Sequence, residues 1–324
     1  MIAGTLFALA AGLMWGLVFV APLLLPQYPA ALLSSARYLA FGLIALPLMA
    51  LDWRALRALT PADWREATRL SLIGNLLYYL CLAAAIQRAG GPLPTMIIGT
   101  LPVVIAVSAN LRGNAVVRAR DGRLPWRRLL PSLALIGTGI ALVNRAEWRA
   151  LGADVDPVRF ATGAALAVGA LACWTWYPLR NADWLRAHPD RPARAWATAQ
   201  GVATLPLSAL GCGLFWVWSA ASGSGFEMPF GPTPARFVGL MLAIGLLASW
   251  LGTLCWNEAS QRLPPALAGQ LIVFETLSAL GYALALRGQW PPAATLAGIA
   301  ALVAGVLWAL RVRPQPAAAA AHAA

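Results

Sequence analysis

Ten apolar runs, each close to the length of a membrane-spanning helix, occupy most of this chain. A helix needs about 20 mostly apolar residues to cross the hydrocarbon core of a bilayer. Turn sequences such as GGPLP at 90–94 and GPTP at 231–234 separate the runs, and the connections are short. The sequence therefore predicts an all-α integral membrane protein with ten transmembrane helices. Predicted helices 1 to 10 cover 2–25, 30–51, 66–87, 91–111, 128–145, 158–180, 193–218, 236–260, 264–286 and 291–311.

The composition excludes a water-soluble globular protein. Hydrophobic residues make up 60% of the 324 residues and charged residues only 11%, against roughly 25% charged residues in soluble domains. The first apolar run, 2–25, has no basic segment before it and is longer than the apolar core of a signal peptide. We therefore expect it to be retained as the first helix.

The basic residues are all arginine, and they carry information about topology. The 24 Arg outnumber the 12 acidic residues, a balance that in a soluble protein would suggest nucleic acid binding. Here they fall in short connections, so no nucleic acid partner is expected. With a cytoplasmic N-terminus, 17 Arg lie on the inside and 6 on the outside. The positive-inside rule then predicts that both termini are cytoplasmic.

Motifs for catalysis, metal binding or nucleotide hydrolysis are not found in the sequence. The four cysteines lie within apolar runs without a CxxC pair, and there is neither an HExxH nor a Walker A motif. His188 and His322 lie outside the predicted spans, and the Asp residues are predicted to lie in loops. The sequence therefore predicts a protein that is not an enzyme and has no metal or cofactor. A membrane-embedded enzyme stays open as a minor alternative.

The two halves of the chain resemble each other. ALAAGLMWG from Ala8 matches ALAVGALACW from Ala165, and GLIALPL (42–48) matches GVATLPL (201–207). Because the first unit has five helices, an odd number, the second unit enters the membrane in the opposite sense. This predicts an inverted-topology repeat with alternating access around a site near the midplane. We predict halves at 1–145 and 158–312, followed by a disordered, Ala-rich cytoplasmic tail at 313–324.

Several short motifs resemble the EamA-type branch of the drug/metabolite transporter superfamily. They are GLMWG in helix 1, TLPV at Thr100–Val103 in helix 4 and FET at Phe274–Thr276 in helix 9. Thr276 departs from the family pattern, which often has Pro there, so a kink at this point is in question. The Trp- and Tyr-rich helices resemble YddG-type exporters of aromatic and other amino acids.

This resemblance implies a basket-like bundle with a central cavity in a bacterial inner membrane. It also implies export of amino acids, aromatic and other apolar ones, and of related metabolites. The expected partners are small-molecule amino acid substrates and membrane lipids, and a monomer is sufficient for the predicted architecture. Drugs, lipids or other metabolites are alternative substrates.

Charged residues inside spans are costly and therefore conspicuous. Glu275, in the middle of helix 9, could bind a substrate ammonium group, carry a coupling proton or brace helices. Glu258 is a second coupling candidate, although Arg262 four residues later can form a local ion pair with it. Arg37 in helix 2 is expected to snorkel to the headgroups or to brace helices, with binding of a substrate carboxylate as the alternative.

Aromatic side chains within helices 1, 3, 6 and 8 predict a pocket for apolar and aromatic groups, where rings can also face an ammonium group. Together with two asparagines, the cavity candidates are Trp15, Asn75, Tyr78, Tyr79, Trp174, Trp176, Tyr177, Trp250, Trp256 and Asn257. Other Trp residues near helix ends, Trp184 among them, are assigned to the interfacial belt. Pro47, Pro102 and Pro206 are expected to provide kinks at which a gate flexes.

Overall fold

The computed structural model describes residues 2–89, 92–112, 126–150, 156–263, 265–288, 290 and 292–311. Within these residues the chain forms ten helical segments and no strand. The all-α prediction is confirmed, whereas the predicted tail at 313–324 lies outside the described residues. The segments are α1 (Ile2–Leu24), α2 (Ala30–Arg57), α3 (Pro61–Ala89), α4 (Pro92–Gly99 and Leu101–Arg112), α5 (Trp126–Ala150), α6 (Pro157–Ala187), α7 (Ala193–Ser222), α8 (Pro234–Arg262), α9 (Pro265–Leu271 and Val273–Arg287) and α10 (Ala293–Arg311).

Seven of the described helices are long and apolar enough to cross a bilayer. The other three, α4, α5 and α10, contain shorter apolar segments. Large apolar side chains on the outside of the bundle are exposed, including Leu6, Leu210, Leu214 and Val217. A surface of this kind is stable against lipid rather than water. The membrane class is therefore confirmed, and the count of ten spans stays a prediction.

Helix irregularities occur at corresponding places in the two halves. A π-helical turn at Ser71–Leu77 interrupts α3, and a second at Gly245–Leu251 interrupts α8. Helix α4 is broken at Thr100, two residues before Pro102, and α9 is broken at Ile272. The break in α9 precedes Thr276, so it forms without a proline at that position. Irregular turns inside helices are common at functional sites.

The packing between helices follows the same correspondence. Helix α1 packs on α8 as α6 packs on α3, and α1 packs on α9 as α6 packs on α4. Helices α2 and α7, α4 and α9, and α5 and α10 pair with each other. At the α2–α7 crossing, Gly42 lies against Leu205, and Gly201 lies against Ala45. The two similar segments recognised in the sequence therefore pack on each other.

The helices extend beyond the apolar runs at the α2–α3 connection. Asp52 lies in the last turns of α2 and Asp63 in the first turn of α3, and both side chains are buried. The prediction that the Asp residues lie in loops was wrong for these two and for Asp183, which lies within α6. Hydropathy marks where apolar residues stop, but a capping box between Thr60 and Asp63 begins α3 five residues earlier than predicted.

Two glycines on α5 offer a matched test of helix packing. A Cβ at Gly139 would lie 2.6 Å from the carbonyl oxygen of Gly298 on α10, whereas a Cβ at Gly137 meets nothing within 4 Å. We expect Gly139→Ala to destabilise the protein by about 1–3 kcal/mol through overpacking. Gly137→Ala should be neutral or stabilising by up to about 1 kcal/mol, from helix propensity. Thermal unfolding in detergent measures both, and equal melting temperatures for the two variants would contradict the described α5–α10 contact.

Candidate functional site

Five aromatic side chains from four helices meet in the centre of the bundle. The Trp174 ring stacks on Tyr78 (centroids 4.6 Å apart) and on Tyr177 (5.1 Å), and it meets Trp15 edge-on at 4.9 Å. Trp15 in turn contacts Trp256 at 5.2 Å. All five side chains are buried. The sequence predicted each of them as a candidate, and we call this group the aromatic cluster.

Glu275 on α9 is attached to the aromatic cluster. Its side chain is 1% exposed. The indole N–H of Trp174 donates to Glu275 Oε2 at 3.2 Å, while Oε1 has no hydrogen-bond partner. Helix α1 packs closely on α9 here because Gly12 has no side chain. A Cβ at this position would lie only 2.9 Å from the Glu275 backbone nitrogen. The carboxyl group thus lies in the interior with one oxygen free to accept a bond.

Arg37 on α2 is the second buried charge. It is 3% exposed, so it does not snorkel to the surface. Its Nε donates to Ser249 Oγ at 3.1 Å, and its guanidinium carbon lies 4.7 Å from the ring centroid of Tyr38 and 4.6 Å from that of Tyr79. Its Nη1 has no partner, nor do Asn75 Nδ2 and the Tyr78 hydroxyl. Cation–π contacts therefore hold the guanidinium group inside the bundle.

A chain of buried polar groups runs from the aromatic cluster through α6, α7 and α8. The Tyr177 hydroxyl donates to Gln200 Oε1 (2.8 Å), and Gln200 Nε2 donates to Asn181 Oδ1 (3.1 Å). Trp196 Nε1 donates to the same Asn181 oxygen (2.9 Å), and Asn181 Nδ2 donates to Asn257 Oδ1 (2.8 Å). Of these residues the sequence pointed to Tyr177 and Asn257. The missed signal was the presence of two further amides, Asn181 and Gln200, in predominantly apolar helices.

The remaining aromatic candidates lie outside the ring contacts of the aromatic cluster. The Tyr79 hydroxyl donates to the Val18 carbonyl at 3.2 Å, while its ring supports Arg37. Trp250 is buried, and its Nε1 donates to Thr198 Oγ1 at 3.4 Å. Trp176 is partly buried and packs against the core. A helix wheel cannot place Trp174, Trp176 and Tyr177 on one face, and the structure brings the first and third together.

The other candidates have identifiable local surroundings. Glu258 forms an ion pair with Arg262, one turn later on α8, as the sequence spacing allowed. Pro47 and Pro206 lie inside α2 and α7, close to the crossing of these helices. Pro102 begins the second part of α4.

Three carboxylates near the α2–α3 and α6–α7 connections join these two hairpins. Asp52 accepts from Arg194 (2.8 Å), Glu66 accepts from Arg180 (2.6 Å), and Asp63 accepts from Trp184 Nε1 (2.9 Å). Thr198 also donates to Asp52, at 2.8 Å. We call these contacts the carboxylate latch. Trp184 is buried and stacks on Trp196 at 3.4 Å, so its assignment to the interfacial belt was wrong.

A lipid-facing helical bundle with paired helix interruptions and buried, incompletely bonded charges at its centre is the architecture of a membrane transporter. Residues 2–119 match the EamA-like transporter family. The chain is 53% identical to the inner membrane protein YtfF of Escherichia coli (strain K12), over 97% of both chains. The protein belongs to the EamA-like transporter family and is a multi-pass inner-membrane transporter, which confirms the family resemblance. The narrower likeness to YddG-type exporters stays a prediction.

Two further comparisons add detail. The chain is 26% identical to the threonine/homoserine exporter RhtA of Salmonella typhimurium (strain SL1344), over 68% of this chain and 66% of that protein. One solved crystal structure matches with a TM-score of 0.68 and 18% identity, covering 94% of this chain and 96% of the other. At this identity the structural match supports the fold alone.

Proposed function

We propose that this protein exports amino acids, including aromatic and other apolar ones, and related metabolites from the cytoplasm. The observation that carries the proposal is the aromatic cluster with Glu275, whose Oε1 is free in the bundle interior. Ring faces provide a surface for apolar side chains, and they attract an ammonium group together with the carboxylate. The name of the partly similar exporter RhtA supports an amino acid substrate.

Alternating access between two inverted halves is the proposed mechanism. It is supported by the correspondence of helix pairs and by the matching interruptions of α3 with α8 and α4 with α9. Equivalent halves of opposite sense can open the same site first to one side and then to the other. Both termini are placed in the cytoplasm by the distribution of arginine. The prolines at the α2–α7 crossing and at the α4 break are the proposed flexing points.

Glu275 is the proposed coupling residue if transport uses a proton gradient. Its carboxylate can bind a proton or a substrate ammonium group, and these ligands compete for the same oxygen. Glu258 is less suited because its carboxylate is already paired with Arg262 near the helix end.

Counterflow in liposomes tests the function. Labelled phenylalanine and threonine should enter amino-acid-loaded liposomes saturably, each competed by unlabelled amino acids. Glu275→Gln should lower the rate at least about 30-fold, because it removes one charge of a buried pair with the substrate. Glu227→Gln, on an exposed loop, is the matched control and should transport normally. Uptake equal to that of empty liposomes across a broad amino acid panel would reject the assignment.

One observation favours a second candidate, an exporter of lipids or drugs. A groove of about 560 Å³ lies between α2, α3 and α7, and its lining is almost entirely apolar, including Leu76, Leu80, Leu214 and Phe215. Such a groove suits an acyl chain or a hydrophobic drug. Competition by these compounds but not by amino acids in the same liposomes would favour this function.

A further inference from the structure

Two buried side chains of opposite charge lie beside neighbouring tyrosines of α3: Arg37 lies against the Tyr79 ring, and Glu275 accepts from Trp174, which stacks on Tyr78. We propose that Arg37 and Glu275 form a bipolar clamp that binds the carboxylate and the ammonium group of one zwitterionic amino acid. This inference rests on the proposed function and assigns its substrate class. For Arg37 it takes up the carboxylate-binding alternative, in place of the snorkelling or bracing role that was preferred from the sequence.

Neighbouring tyrosines on α3 connect the two charges. The Tyr79 ring lies beneath the Arg37 guanidinium group, with its centroid 4.6 Å from Cζ. The adjacent Tyr78 ring stacks on Trp174, which donates to Glu275. One small ligand lying along the Tyr78–Tyr79 edge could therefore reach both charges.

The atoms left without partners have the chemistry of a zwitterion site. Arg37 Nη1, Asn75 Nδ2 and the Tyr78 hydroxyl can donate to a carboxylate, and Glu275 Oε1 can accept from an ammonium group. Buried polar atoms are normally hydrogen-bonded, so unpaired donors and an unpaired acceptor on and around residues 75–79 of α3 favour a bound ligand. Neither Arg37 nor Glu275 takes part in an ion pair within 4.0 Å among the described residues.

With this arrangement the site selects ligands by the charged groups that they carry. A zwitterion pairs both buried charges at once. An amine without a carboxylate leaves Arg37 unpaired, and an acid without an ammonium group leaves Glu275 unpaired. An unpaired buried charge carries a large penalty. A site built to pair a polar group rejects the analogue that lacks it much more strongly than an apolar pocket rejects a missing methylene.

Three ligands with one side chain test the clamp: phenylalanine, phenethylamine, which lacks the carboxylate, and 3-phenylpropionate, which lacks the ammonium group. Binding to the purified full-length protein is followed by tryptophan fluorescence, because phenyl ligands do not absorb where tryptophan is excited. The wild-type protein should bind phenylalanine at least about 30-fold more tightly than either analogue.

The variants should show a crossed pattern. Arg37→Gln should bind phenylalanine no more tightly than phenethylamine, because the carboxylate has lost its partner and is now itself an unpaired buried charge. Glu275→Gln should do the same for phenylalanine and 3-phenylpropionate. Arg236→Gln, at an exposed position outside the bundle interior, should keep both discriminations. If either residue had only a structural role, its replacement would lower the affinity for all three ligands equally and would not produce the crossed pattern.

The outcomes separate this inference from the proposed function. If phenethylamine and 3-phenylpropionate both bind the wild-type protein as tightly as phenylalanine does, the clamp is overturned and amino acid export still stands. Equal weakening of all three ligands in both variants would overturn it as well. No phenylalanine binding to the wild-type protein would overturn the clamp together with the proposed aromatic amino acid substrates.

Discussion

Replacing Asn181 by leucine should lower the free energy of unfolding by about 2 kcal/mol or more, although it removes no charge. Asn181 is fully buried and joins three partners, accepting from Trp196 and Gln200 and donating to Asn257. Leucine has a similarly branched side chain but leaves two donors and one acceptor unpaired. Each unsatisfied buried group costs about 1–3 kcal/mol, and the membrane environment places the total towards the lower end of the sum.

The control for this prediction is Gln261→Leu. Gln261 is only partly buried and donates one hydrogen bond, to the Arg191 carbonyl at 3.1 Å, so its loss should cost less than about 1 kcal/mol. Unfolding in detergent measures both variants. The double variant Asn181→Leu with Asn257→Leu should cost less than the sum of the single changes, because the two share a bond. A stability of Asn181→Leu equal to that of the wild type would show that the amide network does not hold α6, α7 and α8 together.

The sequence pointed to charged and aromatic side chains that the structure brings together, and there is a physical reason for this. An ionisable or large aromatic residue in a long apolar run is conspicuous, and an ionisable side chain is so costly in contact with lipid that it turns inwards. Glu275 and Trp174 were found in this way. Arg37 was noticed for the same reason, but snorkelling to the headgroups and bracing of helices both stayed open, because the sequence of a single helix does not reveal which face turns inwards.

Other features depend on the neighbouring helices and could not be read from the sequence. Asp52 and Asp63 were missed because their helices continue past the apolar runs that hydropathy detects. Trp184 has the sequence context of an interfacial residue, and only α7 packing against α6 brings it onto Trp196. The π-helical turns at Ser71–Leu77 and Gly245–Leu251 contain no proline. Each contains a glycine that packs closely on another helix, Gly74 against Tyr177 and Gly245 against Ala40.

Neutralising two members of the carboxylate latch should loosen the contact between the α2–α3 and α6–α7 hairpins. Asp52 and Glu66 are 3% and 8% exposed, whereas Arg194 and Arg180 are 51% and 44% exposed. Solvent therefore screens each pair, and we take about 1 kcal/mol for each. In the double variant Asp52→Asn, Glu66→Gln, the form in which these two hairpins are separated should be populated roughly tenfold more or higher, since about 1.4 kcal/mol is a factor of ten. With the proposed cytoplasmic termini and direction of export, this is the proposed side of substrate entry.

A cysteine at Ser71 reports this opening. Ser71 is fully buried on α3 and donates to the Gln200 carbonyl on α7, so it becomes accessible only when the two hairpins separate. In a background lacking the four native cysteines, Ser71→Cys should react with a polar thiol reagent about tenfold faster when the latch is neutralised. Ser132→Cys, equally buried between α5 and α10, should react at an unchanged rate. Exchanging the charges of Glu66 and Arg180 should return labelling to the slow rate of the intact latch if the ion pair holds the two hairpins together. Unchanged labelling of Ser71→Cys would mean that packing of α2 on α7 keeps this side closed and that the ion pairs contribute little to closure.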